Sequence, residues 1–172
     1  VSHFEPKRLV IVMGVSGCGK STAGENLAEH LGGVFLDGDD FHPEANVEKM
    51  AHGIPLTDED RWPWLDILGG EMASREGPVI VACSALRRVY RDRLRDAAGE
   101  PVCFVHLTAS KEVIFSRVGH RKGHYMPASL VESQFATLET PQADENVVTI
   151  DTEPPKDEVR ATLLAAFPKP AS

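Results

Sequence analysis

Residues 8–22 read RLVIVMGVSGCGKST. The branched apolar run 8–13 is the pattern of a buried strand. It leads directly into Gly14–Ser21, which matches G-x-x-x-x-G-K-[ST] at every fixed position. The following AGENLAEHLGG has apolar residues at 23, 27, 28 and 31 and closes on glycines, as a helix does. A strand, a glycine-rich loop and a helix in that order form a phosphate cradle. The N–H groups of Gly14, Val15, Ser16, Gly17, Cys18 and Gly19 can turn inward around phosphate oxygens, and the helix N-terminus adds partial positive charge. Lys20 is placed to reach the β- and γ-phosphates, the Ser21 hydroxyl to ligate Mg²⁺, and Thr22 to continue the cradle into the helix. ATP or another nucleoside triphosphate, with Mg²⁺, is therefore expected.

The rest of the chain repeats the alternation. Apolar strand patterns occur at 33–36, 78–86, 101–107 and 146–151. Helical patterns lie between them, at 42–53, after a turn at Asp58–Arg61 with Pro63 in the first helical turn, and at 85–98, 110–120, 129–138 and 156–167. Near-continuous apolar strands alternating with helices imply a parallel sheet covered on both faces, a three-layer α/β/α fold. The 172 residues suit one domain, with tails at 1–6 and 168–172. The length and the absence of an Asn-Lys-x-Asp base-reading motif argue for a small kinase rather than a GTPase or motor.

Composition narrows the partners. The net charge of −8 argues against non-specific nucleic-acid binding. No apolar run approaches membrane-spanning length, and no signal-peptide pattern opens the chain, so a cytoplasmic location is expected. Three widely spaced cysteines fit neither a disulfide framework nor a cysteine zinc site.

The stretch FLDGDDFHPEANVEKM, residues 35–50, places Asp37, Asp39 and Asp40 at the carboxyl end of the second strand, the ligand edge of an open parallel sheet. A calcium loop counted from Asp37 fails, because His42 stands where glycine is required. Turn formation is the plain alternative, since Asp-Gly favours turns. Beside a phosphate loop, phosphoryl transfer needs one carboxylate toward Mg²⁺ and another toward the acceptor hydroxyl. On an extended segment Asp37 and Asp39 point the same way, and Asp40 faces away.

Arginines suit an anionic acceptor. LRRVYRDRLR carries five within residues 86–95. Ser84 opens this helix at the ligand edge, with Arg87 and Arg91 four apart on one face and Arg88 also within reach. Arg95, about 16 Å from Ser84 at helical rise, is expected to be a solvated surface charge. Arg61 is a further candidate. SRVGHRKGHYMP, 116–127, reads as a lid, with Arg117 and Arg121 on one helical face. His120 and His124 have zinc-compatible spacing and no third ligand.

The chain resembles the gluconokinase family, near shikimate kinase in the nucleoside-monophosphate-kinase-like P-loop fold. The resemblance spans about residues 8–165 and rests on MGVSGCGKST, FLDGDDFHPEANVEKMAHGIPLTDEDRWPWL, ACSALRRVYRDRLR, RKGHYMPASLVESQFATLETP and ADE. It implies transfer of the ATP γ-phosphoryl group to the 6-hydroxyl of D-gluconate, a five-stranded parallel sheet, a small helical lid at about 117–128, Mg²⁺ and a homodimer. By that resemblance Asp39 binds and activates the acceptor hydroxyl, beside Lys20 and Arg121 as catalytic groups. Asp37 joins Ser21 around Mg²⁺, and Arg117 contacts nucleotide. Arg61, Arg87 and Arg91 contact the substrate anion, with Ser84, His42 and Lys49 also at the substrate. Cys18 stands where serine is usual and Asp40 where an apolar residue is common; Cys18 could be an oxidation-sensitive thiol, though an inert small residue is the plainer expectation.

Overall fold

The computed structural model describes residues 4–119 and 128–169. The run after Arg8 forms β1 (Leu9–Met13), buried at all of its positions. It lies at the centre of a sheet with β3 (Val79–Ala82) on one side and β4 (Val102–Thr108) on the other. The edges are β2 (Val34–Asp37) and β5 (Val147–Asp151). All pairings are parallel and the order is β2-β3-β1-β4-β5. The expected five-stranded parallel sheet is present.

Alternation along β1 divides the core. Val10 and Val12 face a cluster completed by α1 (Lys20–Leu31), α5 (Lys111–Gly119), α6 (Ala128–Thr137) and α7 (Lys156–Ala165) through Leu27, Ile114, Val131 and Leu163. Leu9, Ile11 and Met13 face the other, built on α3 (Asp58–Ser74) and α4 (Arg88–Ala98) with Trp64, Leu65, Leu68, Met72 and Leu94. A short helix, α2 (Glu44–Ala51), lies between β2 and α3 in the chain. Among the described residues no helix is long and apolar enough to cross a membrane.

Two helices start elsewhere than their patterns suggest. The expected turn at 58–61 is already helix α3. Thr57 Oγ1 accepts from the Asp60 N–H at 3.2 Å while Asp60 Oδ2 accepts from the Thr57 N–H at 2.9 Å, a reciprocal cap. Pro63 therefore falls in the second turn, where it cannot donate to the Glu59 carbonyl. Helix α4 begins at Arg88 rather than at 85, because Ala85 takes a left-handed φ of 46° and Arg87 is extended. Arg87 and Arg91 consequently do not share a helical face.

Arg91 is corrected from substrate contact to buried strut. It is wholly buried, with Nε donating to Glu145 Oε1 at 2.7 Å, Nη1 to the Ala85 carbonyl at 2.8 Å and Nη2 to the Glu139 carbonyl at 3.0 Å. Arg95 is no solvated charge either: Nη2 reaches Glu145 Oε1 at 3.2 Å and its guanidinium lies 4.6 Å from the Phe104 ring centroid. Burial alone would raise the Glu145 carboxyl, but bonds from Arg91, the Gln142 N–H and Arg95 outweigh it and hold it at about 2. Because that lies below the value of 4.5 for a free glutamate, the pair's contribution is full above about pH 4.5 and is lost as pH falls toward 2. Glu145→Ala leaves Arg91 charged and unpaired in the core. Urea unfolding at pH 7 should show a loss of about 3–5 kcal/mol, and the deficit relative to the parent should shrink as pH is lowered through this window.

Candidate active site

The loop after β1, the acidic turn after β2 and the segment after β3 meet at the carboxyl edge of the sheet, where open parallel sheets bind ligands. Gly14 takes a φ of 146°, and a side chain there would stand 2.8 Å from the Leu107 carbonyl oxygen, so only glycine fits. Its N–H donates to the Ser84 carbonyl at 3.3 Å, tying the loop to the end of β3. Helix α1 starts after Gly19 with no side-chain cap, which leaves its first N–H groups open to an anion. Lys20 Nζ folds back onto the Gly14 and Val15 carbonyls at 3.1 and 3.2 Å. Ser21 and Thr22 are exposed at the helix start.

Cys18 is 2 % exposed and burial pushes its thiol up, against the pull of Lys20. It is an inert packing residue rather than a reactive thiolate.

Gly38 fixes the acidic turn. A side chain at that position would stand 2.7 Å from the Ala82 carbonyl oxygen and 3.2 Å from Leu68 Cδ2. The Gly38 carbonyl accepts from buried Trp64 Nε1 at 2.8 Å. Pinned from two sides, residues 38–41 coil into a 3-10 turn, and Asp37 Oδ1 caps it by accepting from the Asp39 N–H at 3.0 Å. The extended-strand argument for Asp37 and Asp39 is thereby corrected: Asp37 ends β2 and Asp39 is helical, and a capped turn rather than strand alternation brings their charges together. Turn formation and ligand chemistry are not alternatives here, since Asp37 caps through Oδ1 while Oδ2 accepts no bond among the described residues.

Asp39 stands exposed at the mouth of the crevice. Partial desolvation on the turn and then the Asp37 charge push its carboxyl above the usual aspartate value, while His42 and Lys20 pull the other way. His42 lies behind it, stacked on Trp64.

The second charged group is the Asp58–Tyr90 cluster. Arg61 and Arg87 place their guanidinium carbons 5.3 and 5.4 Å from the Tyr90 ring centroid. Asp58 bridges them, accepting from Tyr90 at 2.7 Å and from Arg87 Nη1 at 2.9 Å, with Arg61 Nη1 3.6 Å away. The Tyr90 hydrogen bond first, and then Arg87, hold the Asp58 carboxyl below its usual range. Here two guanidinium groups face one carboxylate.

Other expected residues are committed elsewhere in the fold. Lys49 Nζ pairs with Asp60 Oδ2 at 2.8 Å, and this bond first, then the Thr57 N–H, hold the Asp60 carboxyl at about 2. Arg88 makes a forked pair with Asp144 at 3.1 and 2.8 Å. Arg117 donates to the Thr152 hydroxyl and carbonyl, near enough to Cys18 for its charge to be felt there. Arg121, His120, His124 and most of the expected lid lie outside the described residues.

Four contributors escaped the sequence reading: Asn46, Trp64, Tyr90 and Gln134. Gln134 on α6 clasps Ser16, accepting from its N–H at 2.6 Å and donating to its hydroxyl at 3.0 Å. Asn46, four residues after His42, carried a signal in that spacing; Trp64, Tyr90 and Gln134 make contacts that no local pattern announces.

An AAA domain family model matches residues 9–141. The gluconokinase of Gluconobacter oxydans is 47% identical over 164 residues, covering 93% of this chain and 91% of its own. The crystal structure of a gluconokinase from Sinorhizobium meliloti 1021 is similar with 49% identity and a TM-score of 0.83, over 92% of this chain and 90% of that one. Shikimate kinase from Acinetobacter baumannii, crystallised with shikimate, shares the fold alone, at 18% identity and a TM-score of 0.56 over 91% and 88% of the chains.

Gly38→Ala tests the geometry of the turn. The added methyl meets main chain that cannot yield, so thermal unfolding should show a loss of about 1–3 kcal/mol. Nucleotide affinity should hold, because residues 14–21 are untouched.

Proposed function

The chain belongs to the gluconokinase family, and on that premise we propose that it transfers the γ-phosphoryl group of ATP to the 6-hydroxyl of D-gluconate, giving 6-phospho-D-gluconate and ADP. The observation that carries the reading is the pinned turn that holds exposed Asp39 at the sheet edge of the phosphate loop, near enough to Lys20 for their charges to act on each other. Phosphoryl transfer asks chiefly for positioning and for charge stabilisation. Main-chain N–H groups of Gly17, Gly19 and the start of α1 hold the phosphates, since those of Gly14, Ser16 and Cys18 donate to Ser84, Gln134 and Val15 in the free protein. Lys20 leaves the Gly14 and Val15 carbonyls to pair with β- and γ-oxygens. Asp39 accepts the hydrogen bond of the 6-hydroxyl, orients it in line and takes its proton as the new O–P bond forms.

Arg61 and Arg87 receive the gluconate carboxylate in the role that Asp58 fills in the free protein. Ser84 stands on the acceptor side, His42 and Lys49 lie behind it held by Asn46 and Asp60, and Arg117, leaving Thr152, serves the nucleotide and its charge with Arg121. Mg²⁺ keeps most of its waters and needs few protein ligands, so Ser21 and the unbonded oxygen of Asp37 fit it, although among the described residues there is no three-ligand cluster of His, Cys, Asp or Glu. When bound, Mg²⁺ neutralises phosphate charge. The reading includes a homodimer in the cytoplasm, acting on a small molecule without nucleic-acid or membrane partners.

Coupled ADP release from Mg-ATP tests the assignment. Gluconate should be turned over while shikimate and nucleoside monophosphates are not; an inactive gluconate beside another active acceptor would sink it. Asp39→Asn should lower kcat at least about a hundredfold with ATP binding kept, whereas near-normal turnover removes Asp39 from the mechanism.

A further inference from the structure

His42 joins the acidic turn to α2 and is almost sealed, with its side chain 5% exposed. Its ring stacks on Trp64, centroids 4.1 Å apart and planes within 17°. Nδ1 lies 3.2 Å from Asn46 Nδ2, and Nε2 lies 4.0 Å from Asp39 Oδ1. Which nitrogen carries the proton is decided one residue further back. Asn46 is buried, and its Nδ2 also lies 2.9 Å from the main-chain carbonyl oxygen of Asp60. A carbonyl only accepts, so the amide nitrogen must face Asp60. Its two hydrogens divide, one to Asp60 and one to His42. Nδ1 is therefore the acceptor, and the neutral ring carries its proton on Nε2, the nitrogen that faces Asp39.

We propose that Asn46 and His42 are positioning residues for Asp39: the Asn46 amide holds His42 as the Nε2–H tautomer, and that N–H aims the Asp39 carboxylate at the acceptor hydroxyl. The inference rests on Asp39 acting at that hydroxyl. At 4.0 Å the contact is longer than a hydrogen bond, and a side-chain rotation of Asp39, whose carboxylate accepts no bond among the described residues, closes it. One carboxylate oxygen then takes the N–H and the other is left for substrate.

The surroundings keep the ring neutral. Protonation would put an N–H on Nδ1 against the Asn46 amide hydrogens, donor against donor. Burial first lowers the proton affinity of His42, Asp39 on the acidic turn opposes this, and Arg61 on α3 adds to it. Lys49 on α2 and Asp60 on α3 neutralise one another close by. Around Asp39 itself stand Asp37, Asp40 and Lys20.

Long-range ¹H–¹⁵N spectra of the uniformly ¹⁵N-labelled protein read the tautomer directly, with the His42 signals identified by their loss in His42→Gln. The expected result at pH 7.5 is a protonated Nε2 and a bare Nδ1. In Asn46→Asp the carboxylate only accepts, and Nδ1 should gain a proton. An Nδ1–H ring or an imidazolium in the parent protein overturns the proposal, whatever the activity. In kinetics, His42→Ala should lower kcat about tenfold or more at unchanged KM for ATP. His42→Gln, whose amide nitrogen can stand near the Nε2 position, should recover kcat to within about threefold of the parent. A fall in kcat in His42→Ala with no recovery in His42→Gln assigns His42 a packing role and overturns the proposal. Where a variant folds poorly, the spectrum of the parent still decides. The turnover of Asp39→Asn judges the underlying reading separately, since it leaves the tautomer result standing.

Discussion

A single indole hydrogen bond governs the geometry of the acceptor side. Trp64 Nε1 donates to the Gly38 carbonyl, and Gly38 lies so close to the end of β3 that no side chain fits. The bond crosses between layers: Trp64 belongs to α3, and Gly38 to the turn leaving β2. Through it, packing of α3 on the sheet becomes the position of a carboxylate. The same indole supports His42 on its face, so one buried ring sets the place of both Asp39 and its neighbour.

The nucleotide side is built differently. Its donors are main-chain N–H groups, positioned by glycine conformations and by the tie from Gly14 to Ser84. The acceptor side is built from side chains on three elements, the acidic turn, α3 and the segment leading into α4. Asp58 shows how such a site remains stable without ligand. Two guanidinium groups beside Tyr90 would repel each other in its absence, and its carboxylate supplies the charge that a bound anion supplies later. In the proposed complex gluconate displaces this internal competitor, which would sharpen the requirement for a well-placed carboxylate on the substrate.

The phosphate loop and the sheet were legible in sequence because each rests on local rules: fixed glycine spacing, apolar runs and strand–helix alternation. In the site, sequence pointed to charged groups at the sheet edge, and Asp37 with Asp39 and Arg61 with Arg87 do stand together in pairs. Their arrangement was not legible. Ala85 adopts a left-handed conformation that sequence pattern gives no reason to expect in alanine, and it delays α4 enough to separate Arg87 from Arg91. Arg91 read as a ligand arginine by spacing, but Glu145, distant in sequence, claims it. Asp37 and Asp39 were paired by strand alternation, whereas a turn capped by Asp37 itself pairs them. Each miss replaces a local rule with a contact made from another layer.

In the proposed reaction the capped turn presents Asp39 to the acceptor hydroxyl. A crystal structure with gluconate and a non-hydrolysable ATP analogue with Mg²⁺ tests it most directly. The account predicts an Asp39 oxygen about 2.6–3.2 Å from the 6-hydroxyl, with that hydroxyl in line with the γ-phosphorus. A 6-hydroxyl bonded to another side chain, with Asp39 turned to solvent, would contradict it.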